Sequence, residues 1–250
     1  METAIKKNSQ RMISFFKFGK KKHLESLKSG KLYMRNLQHF IDYEEKNKTK
    51  GRGDSNEAAL IINDATIKFK DPLTGKEIVT AKSKRAIARN TEDLSTPVFC
   101  MTCITEDNLK KYDENKYILE FTDIQKEEII KEFGEYALHI SPGDFLNRID
   151  EAFKKQNIKH EARCVEYTDM NQNHSDRIYG FPTNNRFFYK DKKTYEYQQE
   201  HRIIILNRHI DDPEENLTID IGDISEFSCL METKQLLENG LLVEFISNKR

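Results

Sequence analysis

Two short apolar runs near opposite ends of the chain, Phe15-Phe16-Lys17-Phe18 and Ile203-Ile204-Ile205, constrain the fold more than any other feature. Turn signals and polar residues bracket both, so Met12–Phe18 and Ile203–Leu206 read as strands buried in a central sheet. Lys17 lies between Phe16 and Phe18, and strand alternation turns it away from both. If those aromatics face the core, Lys17 faces solvent or a cleft.

The elements between these runs are not regularly interleaved. Lys21–Ser29 reads as a helix with Leu24 and Leu27 on one face, stopped by Gly30. Leu32–Met34 is extended and Leu37–Tyr43 continues as an apolar-aromatic segment. Glu44–Glu57, containing GRGD, reads as a long, mobile polar loop, with Lys46, Lys48, Lys50 and Arg52 available to a phosphate-bearing ligand. Ala59–Ile62, Thr66–Lys70 and Glu77–Ala81 look like strands of a meander, with a turn at Pro72–Gly75. Lys82–Pro97 is polar and crosses the surface. Val98–Thr105, Tyr117–Phe121 and Ala162–Tyr167 read as further strands; Phe227–Met231 and Leu242–Ile246 flank a helix near Thr233–Glu238.

Two helix starts are explicit. Thr122 and Gln125 have capping-box spacing, and Ser141-Pro142 places an N-cap before a proline at the first helical position. Strands outnumber helices, so the expected class is α+β: a single compact domain with a mixed or antiparallel central sheet and a few flanking helices.

Composition narrows the function. Charged residues make up 33% of the chain, yet fifteen Phe and ten Tyr supply enough large side chains to build a core, so disorder is expected only for residues 1–10 and 44–57. The net charge of −1 gives no global field that would draw nucleic acid. No run approaches a membrane span and METAIKKNSQ lacks the apolar core of a signal peptide, so the expectation is a cytoplasmic protein with no membrane partner.

Several chemistries lack their motifs. There is no Walker loop, no GxGxxG and no GxSxG. Cys100 and Cys103 form a CxxC within an expected strand, where residues three apart face opposite ways. With no second pair to complete a zinc set they read as structural, and no metal is expected. The four cysteines are too scattered for a disulfide scaffold.

What remains is a set of residues that can line a cleft. Glu200 stands at the head of the Ile203 strand, with Glu196 as an alternative acid. Lys17, Tyr33, Arg35, Asn36 and Phe40 supply cationic, aromatic and amide groups from the first segment. The plainer alternative makes Glu200 and Arg202 a solvated pair at a strand end, and Tyr33 and Phe40 core residues.

The run FFKFGKKKHLESLKSGKLYMRNLQHFIDYE, with GDSNEA, PVFCMTC and TYEYQQEHRIII, resembles a family of uncharacterised proteins of bacteria, phages and mobile elements. More distantly, the strand–helix–Gly–strand opening and the late acid before an apolar strand resemble the ADP-ribosyltransferase fold, including its nucleic-acid-modifying branches. That resemblance implies NAD as substrate, a macromolecular target (protein or nucleic acid) and a role in phage–host conflict. Glu200 would stabilise the oxocarbenium-like centre, Tyr33 or Phe40 would stack on nicotinamide, and Lys17, Arg35 and Asn36 would hold phosphates or the carboxamide. Transferases of this fold usually present His or Arg on the first strand, where this chain has Lys17. The alternative is a non-enzymatic phage or mobile-element protein that captures a host protein or a nucleotide signal.

Overall fold

The structure, a computed structural model, describes residues 11–47 and 51–246; the expected flexible segment 1–10 lies outside the described residues. In chain order the strands are β1 Met12–Gly19, β2 Lys31–Asn36, β3 Leu60–Lys70, β4 Glu77–Ala88, β5 Pro97–Thr105, β6 Leu109–Lys111, β7 Lys116–Leu119, β8 Tyr136–Ile140, β9 His160–Cys164, β10 Glu166–Thr168, β11 Tyr189–Asp191, β12 Glu200–Ile205, β13 Leu217–Asp220, β14 Ser228–Glu232 and β15 Leu241–Glu244. The α-helices are α1 Lys21–Lys28, α2 Leu37–Asn47, α3 Asp123–Phe133, α4 Pro142–Lys155, α5 Ser175–Gly180, α6 Lys192–Tyr195 and α7 Thr233–Asn239.

An eight-stranded antiparallel sheet organises the molecule in the order β13-β2-β5-β1-β8-β14, with β12 paired to β5 and β9. A parallel β10–β11 pair makes the overall pattern mixed. The class is α+β, as the sequence indicated.

Strand alternation divides the core. Phe15 faces α1 and α4 in a cluster with Leu24, Leu27, Phe145, Ile149 and Phe153. Phe16 and Phe18 face the other way, toward Ile129 of α3 and Leu236 and Leu237 of α7. β1 and β12 are thus both interior strands, and all six residues of β12 are buried. Burying Phe15 and Phe16 completely removes on the order of 2 to 3 kcal/mol each from water, which is what ties the first strand into the sheet.

Local signals act as expected in three places. Thr122 Oγ1 accepts from Gln125 N while Gln125 Oε1 accepts from Thr122 N, closing the capping box of α3. Gly30 ends α1 at φ +92°, and a Cβ there would lie 2.3 Å from the Gly222 carbonyl oxygen. Pro142 opens α4, although the Ser141 hydroxyl donates to Asp144 Oδ2 rather than capping the backbone.

Several boundaries differ. Leu37–Tyr43 is the start of α2, because Leu37, Phe40 and Ile41 follow helical spacing and Asn36 Oδ1 accepts from His39 N. The three-strand meander is one long hairpin, β3–β4, which takes in Lys82–Ala88 as well. Ala162–Tyr167 is split into β9 and β10 at Val165, whose N–H donates to the Glu200 carbonyl. The segment 44–57 is not loop throughout: residues 44–47 complete α2, residues 48–50 lie outside the described set, and Gly51, Gly53, Asp54 and Glu57 are buried. Among the described residues no helix is long and apolar enough to cross a membrane.

Candidate functional site

The site begins as a gap in the sheet. Along one edge β5 pairs with β12 from Val98 to Thr102. Along its other edge it pairs with β1 only at 102–105 and with β2 only at 97–98. β1 peels away after Phe16 to follow β8, leaving Phe99–Met101 without a strand partner on that edge. A cavity of about 590 Å³ opens there, large enough for a nucleotide-sized ligand.

Lys17 occupies the gap. Its ammonium donates to the Cys100 carbonyl, an acceptor that the missing strand leaves open, and lies 4.6 Å from the centre of the Phe99 ring. Burial lowers its pKa, against the pull of Cys100 and Glu200. Of the two surroundings that strand alternation left open to it, solvent or a cleft, Lys17 faces the cleft.

The floor is a buried ionic network on one face of β12. Glu200 and Arg202 are two residues apart, so they share that face. Arg202 Nε donates to Glu200 Oε1 at 2.7 Å, and its two terminal nitrogens reach the Glu57 carboxylate oxygens at 2.7 and 2.9 Å. Arg202 Nη1 also donates to the Phe187 carbonyl at 2.6 Å. Lys190 Nζ lies 2.8 Å from Glu200 Oε2 and 3.5 Å from Glu57 Oε1, with the Tyr195 ring 4.9 Å away. Glu200 is 4% exposed and Arg202 1%, so the solvated-pair alternative does not hold.

Burial opposes charge on Glu200, but Arg202 and Lys190 outweigh it and hold the carboxyl well below its usual range. Burial likewise works against Lys190, and Glu200 and Glu57 more than reverse it. Burial, then the Glu200 carboxylate, push the Cys100 thiol up to about 12, so it stays protonated and is no nucleophile. Asp54, beside the network, is raised to about 7 by burial and by Glu57.

The head of β12 is held in a defined pose. Gln199 adopts the left-handed region, with φ 43°, a strained conformation for a residue other than glycine. Its Oε1 accepts from Asn108 Nδ2 at 3.0 Å and from Gln125 Nε2 at 3.1 Å, so the cap of α3 also braces the turn before Glu200. The Glu200 N–H donates to the Tyr167 hydroxyl at 2.8 Å.

Opposite the floor, β2 alternates: Lys31, Tyr33 and Arg35 face the cavity while Leu32, Met34 and Asn36 face inward. Tyr33 is 49% exposed and is available for stacking. Arg35 lines the cavity but is engaged, donating to the Pro213 carbonyl at 2.6 Å and the Tyr33 hydroxyl at 3.0 Å. Phe40 contributes from α2. Lys17, Tyr33, Arg35, Phe40 and Glu200 therefore converge on one cavity.

Asn36 stands apart. It is 1% exposed, donates to the Ile210 carbonyl at 2.6 Å and caps α2. Adjacent strand residues point to opposite faces, so Arg35 and Asn36 cannot both serve the cleft. Glu196, the alternative acid, is exposed and lies 3.6 Å from Lys192 instead.

Three contributors were not expected from the sequence, Glu57, Lys190 and Gln198, and Arg52 of the 44–57 segment joins them. Glu57 and Lys190 complete the floor. Arg52 lines the wall and donates to the Glu132 and Phe133 carbonyls, while Gln198 Nε2 donates to the Gly51 carbonyl at 2.7 Å. Gly53 lets this segment press on α2, since a Cβ there would lie 2.5 Å from Glu44 N and 2.6 Å from the Phe40 carbonyl oxygen. One signal for Lys190 was present: it directly follows Phe187-Phe188-Tyr189.

The lining holds seven lysines and arginines against two carboxylates, which favours an anionic ligand. Among the described residues no group of three or more His, Cys, Asp or Glu is arranged to hold a metal ion. Compared with models of protein families, with curated proteins and with solved structures, the chain matches none.

Proposed function

We propose that the protein is an ADP-ribosyltransferase-like enzyme that takes NAD as substrate in the β1/β2 gap and modifies a macromolecular target. The observation that carries this reading is the convergence of Lys17, Tyr33, Phe40 and Glu200 on one cavity that opens where the sheet divides. Cationic lining suits a pyrophosphate, and the exposed Tyr33 ring suits a flat heterocycle. In the reaction, the bond between the nicotinamide nitrogen and the ribose breaks, and nicotinamide leaves with the electron pair. An acceptor nucleophile then bonds to the ribose carbon and gives up its proton. Glu200, kept ionised by Arg202 and Lys190, supplies negative charge beside the oxocarbenium-like centre. A cytoplasmic setting in phage–host conflict fits this reading.

One observation favours a second reading. Both Glu200 oxygens already have cationic partners, which offset much of the field a reacting centre would feel. A site of this kind can bind a nucleotide signal without turning it over.

Calorimetric titration with NAD and assay of released nicotinamide separate the two. The enzymatic reading expects binding and release in the wild type, weaker binding in Tyr33→Ala, and a roughly hundred- to thousandfold slower release in folded Glu200→Gln. Binding without release supports the nucleotide-capture reading; no binding at millimolar NAD removes the enzymatic one.

A further inference from the structure

The β3–β4 ribbon has no place in the cavity chemistry. Its strands run for 11 and 12 residues, and from Thr66 to Lys82 it rests on nothing else in the core clusters. Residues 60–88 carry six lysines and arginines against three acids, in a chain whose net charge is −1. Most of the strand lysines gather on one face, while Arg85, paired with Asn63, lies on the other. Thr66 pairs with Lys82 and Lys68 with Thr80, so Lys68, Lys82 and, two residues along, Lys84 share a face. Phe69 with Val79 and Ile67 with Ala81 form the other face, and Phe69 is 51% exposed.

Asp64 lies level with Lys84, and Glu77 approaches Lys68 at 3.4 Å. Among the described residues Lys82 and Lys84 have no carboxylate at ion-pair distance. With those two unpaired and the Lys68–Glu77 pair solvent-screened, this face presents positive charge whose natural complement is a polyanion. The foot is rigidly held: Arg89 donates to the Glu57 and Ser55 carbonyls, both at 2.7 Å, and Arg177 to the Ile61 carbonyl at 2.9 Å. The ribbon is therefore mounted on the same turn that brings Glu57 to the cavity.

We propose that the β3–β4 ribbon docks double-stranded DNA through its lysine face. The major groove of B-form DNA admits a two-stranded ribbon, whereas the major groove of an RNA duplex is too deep and narrow. Phosphates meet Lys68, Lys82 and Lys84, and the small apolar face around Phe69 meets thymine methyls or sugars. The docking stands independently of the cavity; that DNA is also the acceptor of a transferred group rests on the transferase reading.

The test is anisotropy titration of the full chain with a short mixed-sequence DNA duplex across a salt series, alongside an RNA duplex of equal length. The wild type is expected to bind the DNA duplex more tightly than the RNA. Lys68→Ala/Lys82→Ala/Lys84→Ala should weaken DNA binding at least tenfold and make the salt dependence shallower by about 3 in log–log slope, with unchanged melting. Binding unaffected by the triple change, equal or tighter binding of RNA, or no DNA binding at low salt overturns the proposal. A protein partner whose capture depends on Phe69 and Val79, with DNA binding absent, also overturns it. Folded Glu200→Gln should keep full DNA binding, so failure of the cavity chemistry and failure of the ribbon are read separately.

Discussion

At the cavity floor the Lys190 side chain keeps 5% of its surface in water, and in the β3–β4 ribbon Lys68 keeps 56%. Each is a lysine beside a glutamate, yet the consequences differ. In the ribbon, water screens the pair, so breaking it costs roughly 0 to 1 kcal/mol and the charge stays free to meet a partner. At the floor the charges have left water, and each is tolerable only because the others are present. Charge in the first region is buried and mutually satisfied, and in the second it is solvated.

The largest effect is expected from removing the hub of the floor. Arg202→Met leaves Glu57 and Glu200 buried with Lys190 alone between them, and should cost about 3 to 5 kcal/mol by urea unfolding. A loss below about 1 kcal/mol would mean that the floor is as well hydrated as the ribbon.

Gly53→Ala tests whether the wall is as closely packed as the floor. Its Cβ would meet backbone atoms of α2, so a loss of about 1 to 3 kcal/mol is expected, together with weaker ligand binding as the Gly51–Glu57 segment shifts.

Titration probes the buried groups in and around the floor. Asp54 ionises at about 7 when folded, against 3.8 ordinarily, so its contribution is complete below about 3.8 and is lost as pH rises through 7. His201, lowered to about 4 by burial, has the opposite sign: its contribution is complete above 6.5 and is lost as pH falls toward 4. Between pH 4 and 6.5 the two oppose each other. Asp54→Asn should expose the histidine slope, with stability rising by on the order of 1 kcal/mol per pH unit across that range. An unchanged profile would place Asp54 in contact with solvent.

The smallest effect belongs to the ribbon. Lys82→Ala should change unfolding free energy by no more than about 0.5 kcal/mol, whatever it does to DNA binding. A larger loss would mean that the ribbon is part of the core.

Much of the frame was legible because local rules carried it. The alternation of Phe15, Phe16, Lys17 and Phe18, the Thr122–Gln125 box and the Gly30 stop each act within a few residues, and each appears in the structure. The same rule could have removed Asn36 from the site, since it follows Arg35 on a strand. It could also have put Arg202 beside Glu200. Helix α2 was equally visible in the spacing of Leu37, Phe40 and Ile41.

Glu57 and Lys190 were not visible. In the sequence Glu57 closes a polar stretch and reads as solvated; it is buried because the turn before β3 lies against β12, where both its carboxylate oxygens accept from Arg202. Periodicity and capping were enough for the class of fold, the two interior strands and the turning of Lys17 away from Phe16 and Phe18, which left it facing either solvent or a cleft. Only the tertiary structure decided that Glu200 belongs to a buried network and that the sheet opens between β1 and β2. Both depend on strand pairing over long separations, where burial and partner charge outweigh what any residue prefers alone.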